Sequence, residues 1–175
     1  MARAIDTANY FLATLGSDPE SDLTNLKMQK LCAYAQAVSL ALLNRPLFDE
    51  RIEAWKHGPV VPSVYETFRE NGDRVIPGNG LSEKFAREPF DDKQKFVLEM
   101  VARYYGRFSA WGLRERSHDE FPGLFGSKRV IQNDDIARRF RELPEIRKLL
   151  DYQPPKPESL GRMLSEREFW DAVSA

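Results

Sequence analysis

The chain has 175 residues and a mass of 20.2 kDa, a length at which folding buries roughly 70% of the extended chain's surface and one self-sufficient core is possible. Its 26 Lys and Arg against 27 Asp and Glu leave a formal charge of −1, which removes the overall electrostatic argument for nucleic acid or an anionic membrane as partner. A single cysteine, Cys32, excludes an internal disulfide framework and a Cys-rich zinc module, and with no charged leader ahead of an apolar stretch a cytoplasmic protein without metal or cofactor is expected.

In chain order, Ile5, Ala8, Leu12 and Leu15 recur at helical spacing and predict a helix ending at Gly16. Thr24 is a candidate N-cap for the next helix, in which Met28, Leu31, Ala35, Val38 and Leu42 form one seam while Cys32, Tyr34, Leu40 and Leu43 make other faces apolar too. A helix apolar on several faces belongs in the centre of the fold, and its longest apolar stretch, interrupted by Gln36 and Ser39, falls short of the ~20 residues that span a bilayer. Pro46 ends it. Residues 47–56 fit a helical turn or a short strand equally well. His57 to Pro62 reads as a turn, with Pro62 opening a helix to Gly72 whose Val64 and Phe68 face the core. Pro77, Gly78, Gly80 and Pro89 predict a surface connection over 73–90, with room for one hairpin.

Asp91 and Gln94 have the spacing of a capping box ahead of Val97, Met100, Val101 and Tyr104, and Ser109 is placed to cap the helix that follows. Asn133 is the expected cap of a helix carrying Ile136 and Phe140, and Pro144 opens one with Ile146, Leu149 and Leu150. The expected fold is therefore mainly α, a single compact helical domain around a central apolar helix with at most a small β-hairpin. Residues 1–150 are expected to form that domain. Pro154, Pro155 and Pro157 stiffen the start of a 151–175 segment whose Leu160, Met163, Leu164, Phe169, Trp170 and Val173 suit an amphipathic helix.

Catalytic signals are weak. Cys32 sits in the most apolar helix, where burial makes a thiol inert. His57 and His118 are two isolated imidazoles, and no HExxH, Walker or GxSxG pattern accompanies them. Between Lys128 and Lys148 seven basic residues face four acidic ones, which suits a solvated helix surface, an acidic protein partner or, least well, nucleic-acid phosphate. Trp55, beside a Gly-Pro pair, reads as a buried core anchor.

Two stretches resemble a known family. Thr24 to Gln36 reads TNLKMQKLCAYAQ, and Ile52 to Tyr65 reads IEAWKHGPVVPSVY; the pair, with its separation, is similar to the Panacea domain, also called the SocA-like antitoxin domain. Weaker matches follow at Tyr105-Gly106 to Leu113 and at Ser117-His118. Departures occur at Cys32-Ala33, His57, Ser117 and Gly123.

The resemblance implies a mainly helical antitoxin of a bacterial or phage toxin–antitoxin system that neutralises a cognate toxin by direct binding. One line of the family instead delivers its toxin to the Clp protease. It also marks Lys27, Gln29, Lys30, Tyr34, Gln36, Trp55, Gly58, Pro59, Tyr65 and His118 as motif residues, and these are expected to be mainly structural. Lys27, Gln29, Lys30 and Gln36 are polar residues on an otherwise apolar helix, so some of them should hydrogen-bond to the Trp55 to Tyr65 segment. Similar motifs accompany different toxins, so toxin contacts are expected elsewhere, with Leu160, Met163, Leu164, Phe169, Trp170, Arg138 and Arg141 as candidates.

Overall fold

A computed structural model describes residues 1–151; the segment carrying Leu160 to Trp170 lies outside the described residues. Helix α1 (Ala4–Leu15) leads through a polar loop to α2 (Asn25–Leu43), where the Thr24 hydroxyl accepts from the Lys27 backbone N–H at 3.3 Å. Every residue from Lys27 to Ala41 is buried, so α2 is the axis of the fold rather than one wall of it. It stops at Asn44, whose φ of 54° is the left-handed conformation that Asn tolerates. No helix among the described residues is long and apolar enough to cross a membrane.

The undecided stretch 47–56 resolves into an irregular, buried Leu47-Phe48 pair followed by strand β1 (Ile52–Trp55). The turn expected over 57–62 is shorter than that: Lys56 and His57 alone make it, and Gly58–Val60 is strand β2, paired antiparallel with β1 so that Trp55 faces Gly58. A third strand, β3 (Val130–Ile131), joins the other edge of β1 and gives the order β2-β1-β3. Two residues are too few to show alternation, so β3 has no signature in the sequence.

Helix α3 (Pro62–Phe68) buries Val64 and Phe68 as expected and ends in a short 3-10 turn. The connection over 73–90 holds a five-residue helix, α4 (Glu83–Arg87), and no hairpin; Ile76 is drawn inward as its N–H donates to the Leu23 carbonyl at 2.9 Å. In α5 (Asp92–Tyr104) the capping box is reciprocal, Asp91 Oδ1 accepting from Gln94 N at 3.0 Å and Gln94 Oε1 from Asp91 N at 3.1 Å. Ser109 caps α6 (Ala110–Glu120). Asn133 is the first residue of α7 (Asn133–Arg141) rather than its cap; Gln132 holds that position without a side-chain bond. Helix α8 (Pro144–Asp151) follows, burying Ile146 and leaving Leu150 at the surface. Helices α1, α5, α6, α7 and α8 all pack on α2.

Candidate functional site

The polar residues of α2 serve as hydrogen-bond partners for backbone groups of the segments packed around it. Gln29 Oε1 accepts from the Val61 N–H at 3.0 Å, and its Nε2 donates to Asn25 Oδ1 at 2.8 Å; Asn25 Nδ2 in turn donates to the Tyr65 carbonyl at 3.2 Å. The start of α3 is thereby tied to α2. Lys30 Nζ donates to the Pro59 carbonyl at 2.9 Å. The other two polar side chains act elsewhere. Gln36 binds both N–H groups and one carbonyl of Leu47 and Phe48, and Lys27 Nζ donates to the Ser21 carbonyl.

Lys30 is fully buried, and burial, reinforced by repulsion from Arg114, holds its ammonium down to about 7. Burial lowers Lys27 as well. Gly58 has φ +98°, and a Cβ there would lie 2.6 Å from Ser117 Oγ and 3.1 Å from Lys30 Nζ. Glycine is therefore required both for the backbone conformation and for the close approach of β2 to α2 and α6.

Tyr34 stacks on Tyr105 with ring centroids 3.9 Å apart, meets the edges of Phe121 and Phe140, and donates its hydroxyl to Glu120 Oε2 at 2.8 Å. Arg116 pairs with Glu120 and with Glu145, each at 2.6 Å. Desolvation raises the Glu120 carboxyl, and burial with the neighbouring Glu120 charge pushes the Tyr34 hydroxyl up. Cys32 is buried and burial raises its thiol, as expected of an inert cysteine.

Trp55 is half-buried rather than a core anchor. A ring this large ends on the open side of a three-stranded sheet, where it packs against Tyr65 at 4.9 Å, donates Nε1–H to Glu53 Oε2 at 2.8 Å and carries Lys128 Nζ 5.2 Å above its face. These rings form one wall of a groove of about 410 Å³, completed by Val60, Leu26 and Trp111. Lys56, Arg69 and Lys128 stand on its rim against one carboxylate, Asp73. Trp111 is 59% exposed, although aromatic rings of that size are seldom left so open.

The chain matches the antitoxin SocA-like Panacea domain over residues 28–122. The chain belongs to that family. It is also 34% identical over 103 residues to the Antitoxin SocA of Caulobacter vibrioides (strain NA1000 / CB15N), an alignment covering 55% of this chain and 55% of that protein. The chain thus spans about half the length of that curated relative. No solved structure matches.

The Panacea motif residues do not form one cluster. Gln29, Trp55 and Tyr65 line the groove, Lys30, Gly58, Pro59 and His118 gather behind the hairpin turn, and Tyr34 and Gln36 lie on other sides of α2. Of the basic candidates, Arg141 donates to the Leu40 and Ala41 carbonyls and to Asn44 Oδ1, satisfying the end of α2, while Arg138 is exposed beside Asp135. Arg69, Trp111 and Lys128 enter the groove without a sequence signal, because only the chain's path brings 111 and 128 beside the hairpin.

Proposed function

We propose that this protein is the antitoxin of a toxin–antitoxin pair and neutralises a cognate toxin by binding it directly, without catalysis. In this reading residues 1–150 are the Panacea domain and the 151–175 segment is an addition to it. The observation that carries the reading is the groove: exposed aromatic faces next to the family motif, edged by Lys56, Arg69 and Lys128. Such a surface suits a toxin segment that presents an apolar side chain among acidic residues, since buried aromatic anchors supply most binding energy and rim charges steer approach. Specificity for one toxin would then rest on residues outside the motif, with Trp111 and Lys128 at the groove, Arg138 on the surface of α7, and Leu160, Met163, Leu164, Phe169 and Trp170 beyond the described residues.

The test is co-expression with the protein encoded by the neighbouring gene. Growth rescue together with co-purification as a stable complex is expected. Rescue that requires the Clp protease and leaves no complex would transfer the account to an adaptor that delivers its toxin for degradation. No rescue would refute the antitoxin reading.

A further inference from the structure

Behind the hairpin turn four nitrogen bases converge from three elements. Lys30 reaches across from α2, His57 stands on the Lys56-His57 turn, and Arg114 and His118 lie on one face of α6 together with Trp111. The Arg114 guanidinium carbon and the His57 ring both sit 5.8 Å from the Trp111 ring centre, and His118 stacks on Phe125 at 4.4 Å. Lys30 Nζ and Ser117 Oγ meet over Gly58.

The unusual feature is what these groups lack. Arg114 Nε and His118 Nε2 are buried with no hydrogen-bond partner, and Lys30, itself fully buried, uses one of its three donors, on the Pro59 carbonyl. Among the described residues none of the four is in an ion pair. Burial lowers both histidines, reinforced at His57 by Lys56, Arg114 and Lys30 and at His118 by Arg114 and Lys30, where the Asp119 carboxylate acts in the opposite sense. Native folds satisfy nearly all buried donors, so a group left open in this way marks a place for a missing partner.

The geometry points to an oxyanion site: Lys30, Arg114 and His118, with His57 at its edge on the groove, form a basic cluster that takes a phosphate group, held free or as the phosphomonoester of a nucleotide. The Arg114 guanidinium has no lone pair to offer a metal cation and repels one, so the partner that satisfies its buried Nε–H must be an acceptor. A planar guanidinium fork, an ammonium and imidazole N–H groups approaching from different elements suit a tetrahedral anion with several acceptor oxygens. Trp111 forms a wall of the adjoining groove, so a base attached to the phosphate would have an aromatic face to lie against. The inference does not depend on the toxin reading; the site can fill whether or not a toxin binds.

Thermal unfolding of the full chain is the test, in inorganic phosphate, in AMP, and in sodium chloride at matched ionic strength. A ligand that binds the folded state alone raises the midpoint in a saturable way. Saturable stabilisation by phosphate and AMP alike assigns the free anion as sufficient, whereas stabilisation by AMP alone assigns the nucleotide. Arg114→Gln should weaken the apparent affinity roughly ten- to hundredfold, the worth of a charged hydrogen bond. His118→Gln, which alters a partly exposed side chain, serves should Arg114→Gln fail to fold.

Calorimetric titration with sulfate near pH 7, in two buffers of different ionisation heat, should show proton uptake. Lys30 from α2, Lys56 and His57 from the turn, and Arg114, His118 and Asp119 from α6 are the groups that face the anion. Lys30 and the two histidines are held low in the free protein and regain protons beside it. Stabilisation no greater than in sodium chloride, equal stabilisation of wild type and both variants, or binding without proton uptake would overturn the assignment.

Discussion

Replacing Gln36 by Met keeps the length and most of the volume of a fully buried side chain while removing its amide, so the change isolates hydrogen bonding from packing. Three bonds are lost: Oε1 from Leu47 N at 2.8 Å, Oε1 from Phe48 N at 3.2 Å, and Nε2 to the Phe48 carbonyl at 3.0 Å. Leu47 and Phe48 are themselves fully buried, so water cannot take the place of the amide without opening the chain. Each orphaned backbone group costs about 1–3 kcal/mol, and local relaxation recovers part of the sum, so a loss of roughly 3–5 kcal/mol is expected. That is a large fraction of the stability of a domain this size. Urea unfolding followed by circular dichroism measures it, with an unchanged dependence on denaturant showing that the unfolded state is unaltered. A loss below about 1 kcal/mol would refute the view that α2 carries its polar residues to satisfy backbone that has no other partner.

Trp55→Ala should cost roughly 1–2 kcal/mol in the same assay, less than the full burial of an indole would imply, because the ring is half-exposed. In buffer free of phosphate and sulfate, stability should rise by about 1.5 kcal/mol between pH 7 and pH 8.5. Lys30 is held to about 7 when folded, whereas an unfolded Lys binds its proton up to about 10.4, so across this window the unfolded state binds more protons and stability increases with pH. The window closes near 8.5, where the raised Cys32 thiol begins to act in the opposite sense. Lys30→Met should abolish the rise; an unchanged rise would mean that another group titrates. Deleting residues 158–175 should leave the helical body with its wild-type unfolding midpoint and reduce toxin affinity. Aggregation of the truncated protein, or undiminished affinity, would remove that segment from the toxin surface.

Helices were legible in the sequence wherever apolar spacing and cap chemistry agreed. The Asp91 and Gln94 box formed both of its bonds, and Thr24 capped α2. The centrality of α2 followed from its having apolar residues on every face. Short elements were less legible because they are held from outside: β3 exists through pairing with β1 across nearly eighty residues, and α4 lies in a connection where Gly and Pro spacing had left room for a hairpin. Motif residues identified the family but not their own roles. Gln29 and Lys30 met the segment expected of them, whereas Gln36 and Lys27 turned to nearer chain, since local spacing does not reveal which backbone lacks a partner. The groove was hidden for the same reason, as Trp111 and Lys128 become its walls through tertiary packing alone.

The central claim, direct toxin binding through the groove, is tested by the affinity of the purified neighbouring toxin for wild type and for the Trp111→Ala/Lys128→Glu variant. Both positions are exposed, so wild-type unfolding of the variant is expected and is checked first. Loss of an aromatic anchor and reversal of a rim charge should weaken binding by at least about thirtyfold and abolish growth rescue. A folded variant that binds and neutralises the toxin as wild type does would contradict the account.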